Sequence, residues 1–299
     1  MRLALFLDEA TGKPVWYEII PGNLLDVNSL RPMMEDVEST LDISVDSLIL
    51  DAGYVSKDLI EAFNADPSED ERMLIARMPN KVGYPYDELY VSNHKLFPNA
   101  KYTFIRDGRR YFGIRREVSI FGHREFAYVF VDFDNALWKF EKYVEEHGRE
   151  YEALTDKAKT RKTYEFGYFV LVSNVEMTPA EALDRYFERM DVEGFFKTSK
   201  EYLCLLPISK WTDATVRGKI LSDIISTCIY TDMRTSARRS EVPMSRIIGS
   251  TQSLMCTRKG DNVIVEAPNR QAKESFEILG VDIPSHLSIE KFRDSILGL

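Results

Sequence analysis

The segment TPAEALDRYFERMDVEGFFKTSK, Thr178–Lys200, decides how this chain is read. Thr178-Pro179-Ala180-Glu181 supplies a side-chain cap, a proline at the first helical position and a glutamate placed to reach back to the cap. The spacing therefore predicts a helix from Pro179. Within it Tyr186, Arg189, Glu193 and Lys200 stand in the order Y-x2-R-x3-E-x6-K. A helix advances about 100° per residue, so steps of three, four and seven return to nearly one face. One stripe then carries a phenol, a guanidinium, a carboxylate and an ammonium, where a core-facing helix would be apolar. Leu183, Phe187, Met190, Val192, Phe195 and Phe196 flank it, so the helix is expected to be packed. The plainer reading is a solvated face laced with Arg–Glu and Glu–Lys pairs. The sharper one is an acid that holds a metal ion beside phosphates gripped by its cationic neighbours.

Upstream of this helix, Gly167–Val172 reads as a buried strand that leads directly into it. Further upstream, Ser47-Leu48-Ile49-Leu50-Asp51 is an apolar strand ending in an acid, at the strand end where open α/β sheets place ligands. Gly53 is expected to let the chain turn sharply beside Asp51. Alone, Asp51 reads as a cap for that turn. Paired with Glu193 it becomes a ligand for a divalent ion, since magnesium takes one or two carboxylates plus phosphate oxygens and water.

The rest of the chain completes an α/β pattern. Leu3–Leu7 and Val15–Ile20 form a hairpin around Gly12 and Pro14. A helix over Leu30–Leu41 follows, then one capped by Ser56 and running through Phe63, then a strand over Met73–Arg77. From Asn80 to Asp132 aromatic and β-branched residues predominate, with strands over Tyr102–Arg106, Tyr111–Ile120 and Glu125–Asp132 and turns at Asp107-Gly108 and Phe121-Gly122. Residues 133 to about 160 are charged and helical. After Lys200 the pattern gives helices near 213–233, 243–254, 270–279 and 288–297, with a strand near Asn262–Glu266.

Composition narrows the function. The chain has 299 residues and a formal net charge of -9, which excludes a nucleic-acid binder with a basic surface throughout. DNA contact must come from local patches. One candidate is the aromatic, arginine-rich hairpin of Lys101–Phe126, whose Arg109 and Arg110 are placed for phosphate contacts; the alternative is an ordinary hairpin with a solvated basic face. No run approaches 18 apolar residues, so no membrane span is expected. Cys204, Cys228 and Cys256 lack close pairs and suit a reducing cytoplasm, without a zinc site or disulfide framework.

Asp51-Ala52-Gly53-Tyr54, the Pro21-Gly22-Asn23 and Asp26 segment and the spacing of Tyr186, Arg189, Glu193 and Lys200 resemble DDE insertion-sequence transposases of the cut-and-paste group with a Tyr-Arg-Glu-Lys signature. The resemblance runs from about residue 2 to 205. It implies an RNase H-like mixed sheet flanked by helices, with a β-rich insertion between the second acid and the glutamate. It also implies phosphodiester cleavage and strand transfer in DNA transposition, with Mg2+ or Mn2+ held by three carboxylates. Asp51 and Glu193 match the second and third of these, both catalytic and metal-binding. Tyr186, Arg189 and Lys200 match positions that hold transposon-end DNA.

The first aspartate of that pattern, carried on the first core strand, has no counterpart here. Asp8 is the only nearby substitute, and it stands at the wrong end of its strand. The missing strand is central in the implied sheet order, so Leu3–Leu7 and Ser47–Leu50 are expected to lose neighbours. Each buried backbone group left unpaired costs about 1–3 kcal/mol. The chain is therefore read as an N-terminally truncated transposase, inactive alone. The alternative is a non-catalytic remnant that binds DNA or full-length transposase and inhibits it. The implied partners are transposon-end DNA, target DNA and a second copy or full-length transposase, in a cytoplasmic, nucleoid-associated setting. The expected divisions are 1–78 and 166–240 for the two parts of the core, 79–165 for the insertion with its charged helix, and 241–299 for a C-terminal region.

Overall fold

The computed structural model describes residues 2–8, 11–20, 26–64, 72–202 and 212–289. The chain divides into two compact units, residues 1–194 and 195–299.

The first unit opens with β1 (Arg2–Leu7) and β2 (Pro14–Ile20), paired antiparallel from Arg2↔Ile20 to Leu7↔Pro14. Asp8 closes the turn between them: its Oδ1 accepts from the Thr11 backbone N–H at 2.9 Å and from the Thr11 hydroxyl at 2.6 Å. It is a turn residue. Then come α1 (Asp26–Leu41), β3 (Ser47–Leu50), α2 (Lys57–Asn64), β4 (Met73–Arg77), α3 (Tyr86–Asn93), β5 (Thr103–Arg106), β6 (Arg109–Ile120), β7 (His123–Asp132), α4 (Phe133–Glu152), α5 (Asp156–Glu165), β8 (Tyr168–Ser173), α6 (Pro179–Glu188) and α7 (Met190–Tyr202). The unit boundary falls within α7.

Six strands make one mixed sheet in the order β3-β4-β8-β7-β6-β5. Only β3 and β4 run parallel, with Leu50 opposite Ala76. The strands of the β-rich segment continue this sheet, because β7 pairs with β8 from Phe126↔Ser173 to Val131↔Tyr168. Its two turns are as the sequence requires: Asp107 and Gly108, then Phe121 and Gly122, all have positive φ, which gives the tight hairpin twist. The hairpin β1–β2 remains a separate two-stranded sheet, and among the described residues no strand pairs with the second edge of β1 or of β3. The two strands do not close up on each other.

Strand alternation gives the sheet two apolar faces. Leu48, Leu50, Leu74, Ala76, Val129 and Val170 pack with Leu30 and Met34 of α1, Leu59 and Ile60 of α2, and Leu89 and Tyr90 of α3. Ile75, Tyr128, Phe130 and Leu171 face the other way, against Ala182, Leu183 and Tyr186 of α6. The helix α3 lies inside the segment expected to be β-rich. Its tyrosines and valine favour strands, but burial of Leu89 and Tyr90 outweighs that weak preference.

The second unit contains α8 (Asp213–Ser236), α9 (Met244–Thr251), β9 (Cys256–Lys259), β10 (Asn262–Val265), α10 (Arg270–Leu279) and β11 (His286–Ser288). The three strands form an antiparallel sheet in the order β11-β10-β9. Strand β9 was not expected; its residues Cys256–Lys259 are all exposed and show no alternation to read. The helix expected over 288–297 lies largely outside the described residues.

Candidate active site

Helix α6 carries the site, and three devices seat it. Thr178 Oγ1 accepts from the Glu181 backbone N–H at 3.3 Å, and Glu181 Oε2 accepts from the Thr178 N–H at 2.8 Å, the capping box that the sequence signals. The buried Tyr128 hydroxyl donates to Val175 O at 3.1 Å and accepts from the Met177 N–H at 2.8 Å, which fixes the loop between β8 and α6. Gly113 lets the start of α6 approach β6. A Cβ there would stand 2.7 Å from the Phe104 ring and 3.0 Å from Pro179 Cβ.

The four signature residues do not share one uninterrupted helix. The chain tightens at Arg189, where the Arg189 N–H reaches Tyr186 O at 3.3 Å and the Val192 N–H reaches Arg189 O at 3.2 Å. These are three-residue bonds of the tighter helical kind. Neither glycine nor proline marks the place, so the sequence carries no break signal. Tyr186 ends up buried beneath α6, only 4% exposed, rather than on a solvated stripe. Glu193 stands in the second turn of α7 and is exposed.

Arg189 Nη1 is 2.6 Å from Glu193 Oε1 and 3.7 Å from Asp51 Oδ2. The two acids that the sequence sets far apart thus meet at one guanidinium. Alternation explains how Asp51 arrives there: Ile49 packs on the α6 face of the sheet, and Asp51 is two residues further on. Asp51 also fulfils its plainer reading, since Oδ1 accepts from the Ala52 N–H at 2.8 Å and caps the single helical turn Ala52–Tyr54. One oxygen caps; the other faces Arg189. Gly53 plays no special part in this turn, for its φ is not positive and a Cβ would meet nothing within 4 Å.

Two buried donors at this place have no partner among the described residues: the Tyr186 hydroxyl and Arg189 Nε. The Arg189 guanidinium lies 5.1 Å from the Tyr186 ring centroid. Burial raises the Tyr186 pKa above that of an ordinary phenol, with the Arg189 charge opposing the rise and the Asp51 charge adding to it. The hydroxyl therefore stays a donor at neutral pH.

The oxygen ligands Asp51 and Glu193 have the chemistry for a hard divalent cation, and two carboxylates suffice for one such ion when phosphate and water complete its shell. No group of three or more His, Cys, Asp or Glu placed to hold a metal occurs among the described residues. Among the described residues this donor set offers two carboxylates, one fewer than the three-carboxylate arrangement.

The other expected contacts are placed as follows. Lys200 is exposed on α7, beyond the unit boundary, with Nζ 5.8 Å from the Phe196 ring centroid. Arg109 Nη1 lies 3.7 Å from Asp132 Oδ2. Arg110 donates its backbone N–H to Asp134 Oδ2 at 2.8 Å, and its exposed side chain has no ion-pair partner among the described residues. Elsewhere on the hairpin Arg106 pairs with Asp107 and Asp184, Arg115 with Glu176, and Arg124 with Glu117. Much of the hairpin's positive charge is thus neutralised within the chain.

A family model described as the transposase DDE domain matches residues 1–227, and the chain belongs to this family. Membership implies DNA transposition as the setting, DNA as the partner and a divalent metal ion as the usual cofactor. No curated protein matches the chain. No helix among the described residues is long and apolar enough to cross a membrane.

Proposed function

We propose that this chain grips transposon-end DNA at the α6–α7 junction and presents a phosphodiester to Asp51 and Glu193. The observation that carries this reading is the pair of buried donors beside the two acids, Tyr186 O–H and Arg189 Nε, which have no partner among the described residues. Buried donors without acceptors cost about 1–3 kcal/mol each, a cost that a phosphate oxygen would remove. Lys200, in the second unit, is a separate phosphate contact, and Arg109 and Arg110 add contacts away from the junction. These contacts position DNA rather than read its sequence.

Asp51 and Glu193 would hold Mg2+ or Mn2+, which when bound activates the attacking oxygen and steadies charge on the phosphate. Cleavage and strand transfer into target DNA need a third carboxylate beside these two. On this reading the present chain binds ends without joining them and pairs with a second copy or a full-length transposase. In its non-catalytic form it competes for transposon ends and inhibits the complete enzyme. The Arg189 bridge across both acids favours this binding role.

A strand-transfer assay with magnesium separates the readings. End-DNA binding without joined product is the expected result. Joined product that disappears in Glu193→Gln would show instead that the chain is a complete enzyme.

A further inference from the structure

Strand β6 is longer than its partner on the outer side. Pairing with β5 stops at Thr103↔Phe112, whereas pairing with β7 continues to Ile120↔His123. Among the described residues no strand pairs with the outer edge of Gly113–Ile120. The two hairpin turns fix which groups that edge presents. Each has two central residues of positive φ, so the flanking pairs Arg106/Arg109 and Ile120/His123 are hydrogen-bonded pairs. Odd-numbered residues of β6 therefore bond toward β5 and even-numbered ones toward β7. The N–H and C=O groups of Gly113, Arg115, Glu117 and Ser119 are left pointing outward. No turn, loop or side-chain acceptor takes those N–H groups among the described residues. Arg116 Nη1 donates to Arg115 O at 3.2 Å, and a carbonyl has room for a second donor. Exposed edges are commonly guarded by proline, lysine or a bulge. The run Gly113-Ile114-Arg115-Arg116-Glu117-Val118-Ser119-Ile120 has neither residue, and its register against β7 is unbroken. An open groove of about 740 Å³ lies along the start of this edge, lined by Gly113 and Arg115 and, across from them, by Glu176, Met177 and Pro179.

From this we infer that the outer edge of β6 is where a second copy of this chain docks, by antiparallel strand pairing about a two-fold axis at Arg116. Charge selects the register. It sets Arg115 of each copy opposite Glu117 of the other, and opposite charges facing across strands stabilise a pair. Sliding the strands by two residues either way would set Arg115 against Arg115 or Glu117 against Glu117. In the chosen register Gly113 faces Ser119, and on the other side of the sheet Ile114 faces Val118. Within each chain Arg115 pairs with Glu176 and Glu117 with Arg124. Docking thus makes a row of alternating sign across the seam: Glu176 and Arg115 of one copy, then Glu117 and Arg124 of the other. Arg116 meets its own copy at the axis. Its guanidinium is turned back onto its own chain, with Nε donating to Asn93 Oδ1 at 3.0 Å, which limits the repulsion. An unrelated extended peptide would find the same backbone groups without the matched charges.

The inference rests on the pairing with a second copy proposed above, and needs no DNA. The whole chain is studied by sedimentation equilibrium as wild type, Glu117→Pro, Glu117→Arg and the double variant Arg115→Glu/Glu117→Arg, with a thermal melt for each. Proline at 117 removes an outward N–H and leaves the ladder to β7 intact. Wild type should dimerise. Glu117→Pro and Glu117→Arg should each raise the dimer dissociation constant about tenfold or more, and the double variant should regain most of the Glu117→Arg loss, because it restores opposite charges in this register. A wild type that stays monomeric overturns the pairing and the surface together. A wild-type dimer that Glu117→Pro does not weaken overturns the surface alone. If Glu117→Pro melts too early to measure, the charge variants decide: an unweakened Glu117→Arg dimer, or a double variant no tighter than Glu117→Arg, refutes the surface.

Discussion

Arg189 Nη1 lies 2.6 Å from Glu193 Oε1, and the same nitrogen faces Asp51. A guanidinium therefore stands between the two acids that a divalent ion would join. Metal and arginine compete for the same oxygens, and phosphate competes for the arginine. Binding of DNA should draw Arg189 toward phosphate and release the acids.

Arg189→Gln should strengthen Mn2+ binding to the DNA-free chain. Exposed ion pairs contribute about 0.2–1 kcal/mol, so the gain is about 1.4- to fivefold. Electron paramagnetic resonance of free Mn2+ reads it directly. The same variant should bind flap DNA, a duplex ending in a single-stranded 5′ flap, more weakly. An unchanged Mn2+ affinity would mean that the bridge does not restrain the acids.

Tyr186→Phe removes a buried hydroxyl that has no partner among the described residues. Its folding stability should hold or rise, since a buried unsatisfied group costs about 1–3 kcal/mol. Binding of flap DNA should nevertheless fall. A loss of stability with DNA binding unchanged would assign the hydroxyl to the fold rather than to the DNA.

Glu125 on β7 is buried, with Oε1 accepting from Asn64 Nδ2 at 2.7 Å and Oε2 without a partner among the described residues. Burial raises its pKa, while the Asn64 hydrogen bond and the nearby His123 oppose the rise. A carboxyl whose folded value is raised gives stability that is fully present below the unfolded value of about 4.3 and is lost as pH climbs through the folded value. Melting temperature should accordingly fall over that window in wild type relative to Glu125→Gln. Parallel profiles for the two proteins would refute a buried, proton-holding Glu125.

Gly113→Ala should destabilise the first unit by about 1–3 kcal/mol, because overpacking would push Pro179 and the start of α6 away from β6. End binding should weaken with it, as the helix carries Tyr186. A chemical denaturation curve matching wild type would show that the neighbouring rings yield freely.

Much of this architecture was legible in the residues. The cap and start of α6, the strand that ends in Asp51 and both tight hairpin turns follow from local chemistry that tertiary packing had no reason to override. Helix α3 did not show, because its tyrosines and valine speak for a strand and only the burial of Leu89 and Tyr90 makes it helical. The tightened turn at Arg189 has no residue that announces it. Spacing put Tyr186 and Arg189 on one stripe, but it could not say that the phenol is buried while the guanidinium reaches two acids. The basic hairpin shows the opposite case. Its arginines were conspicuous in the sequence, yet Arg106, Arg109, Arg115 and Arg124 all find carboxylates within the chain.

The central claim is that Asp51 and Glu193 form one divalent-metal site on the face that holds DNA. Replacing Mg2+ by Fe2+ and generating hydroxyl radicals at the bound iron cuts the polypeptide beside its ligands. Cuts near both Asp51 and Glu193, stronger with flap DNA present and lost in Asp51→Asn and Glu193→Gln alike, are the predicted result. Cutting at neither position, or at one acid regardless of substitution at the other, would contradict it.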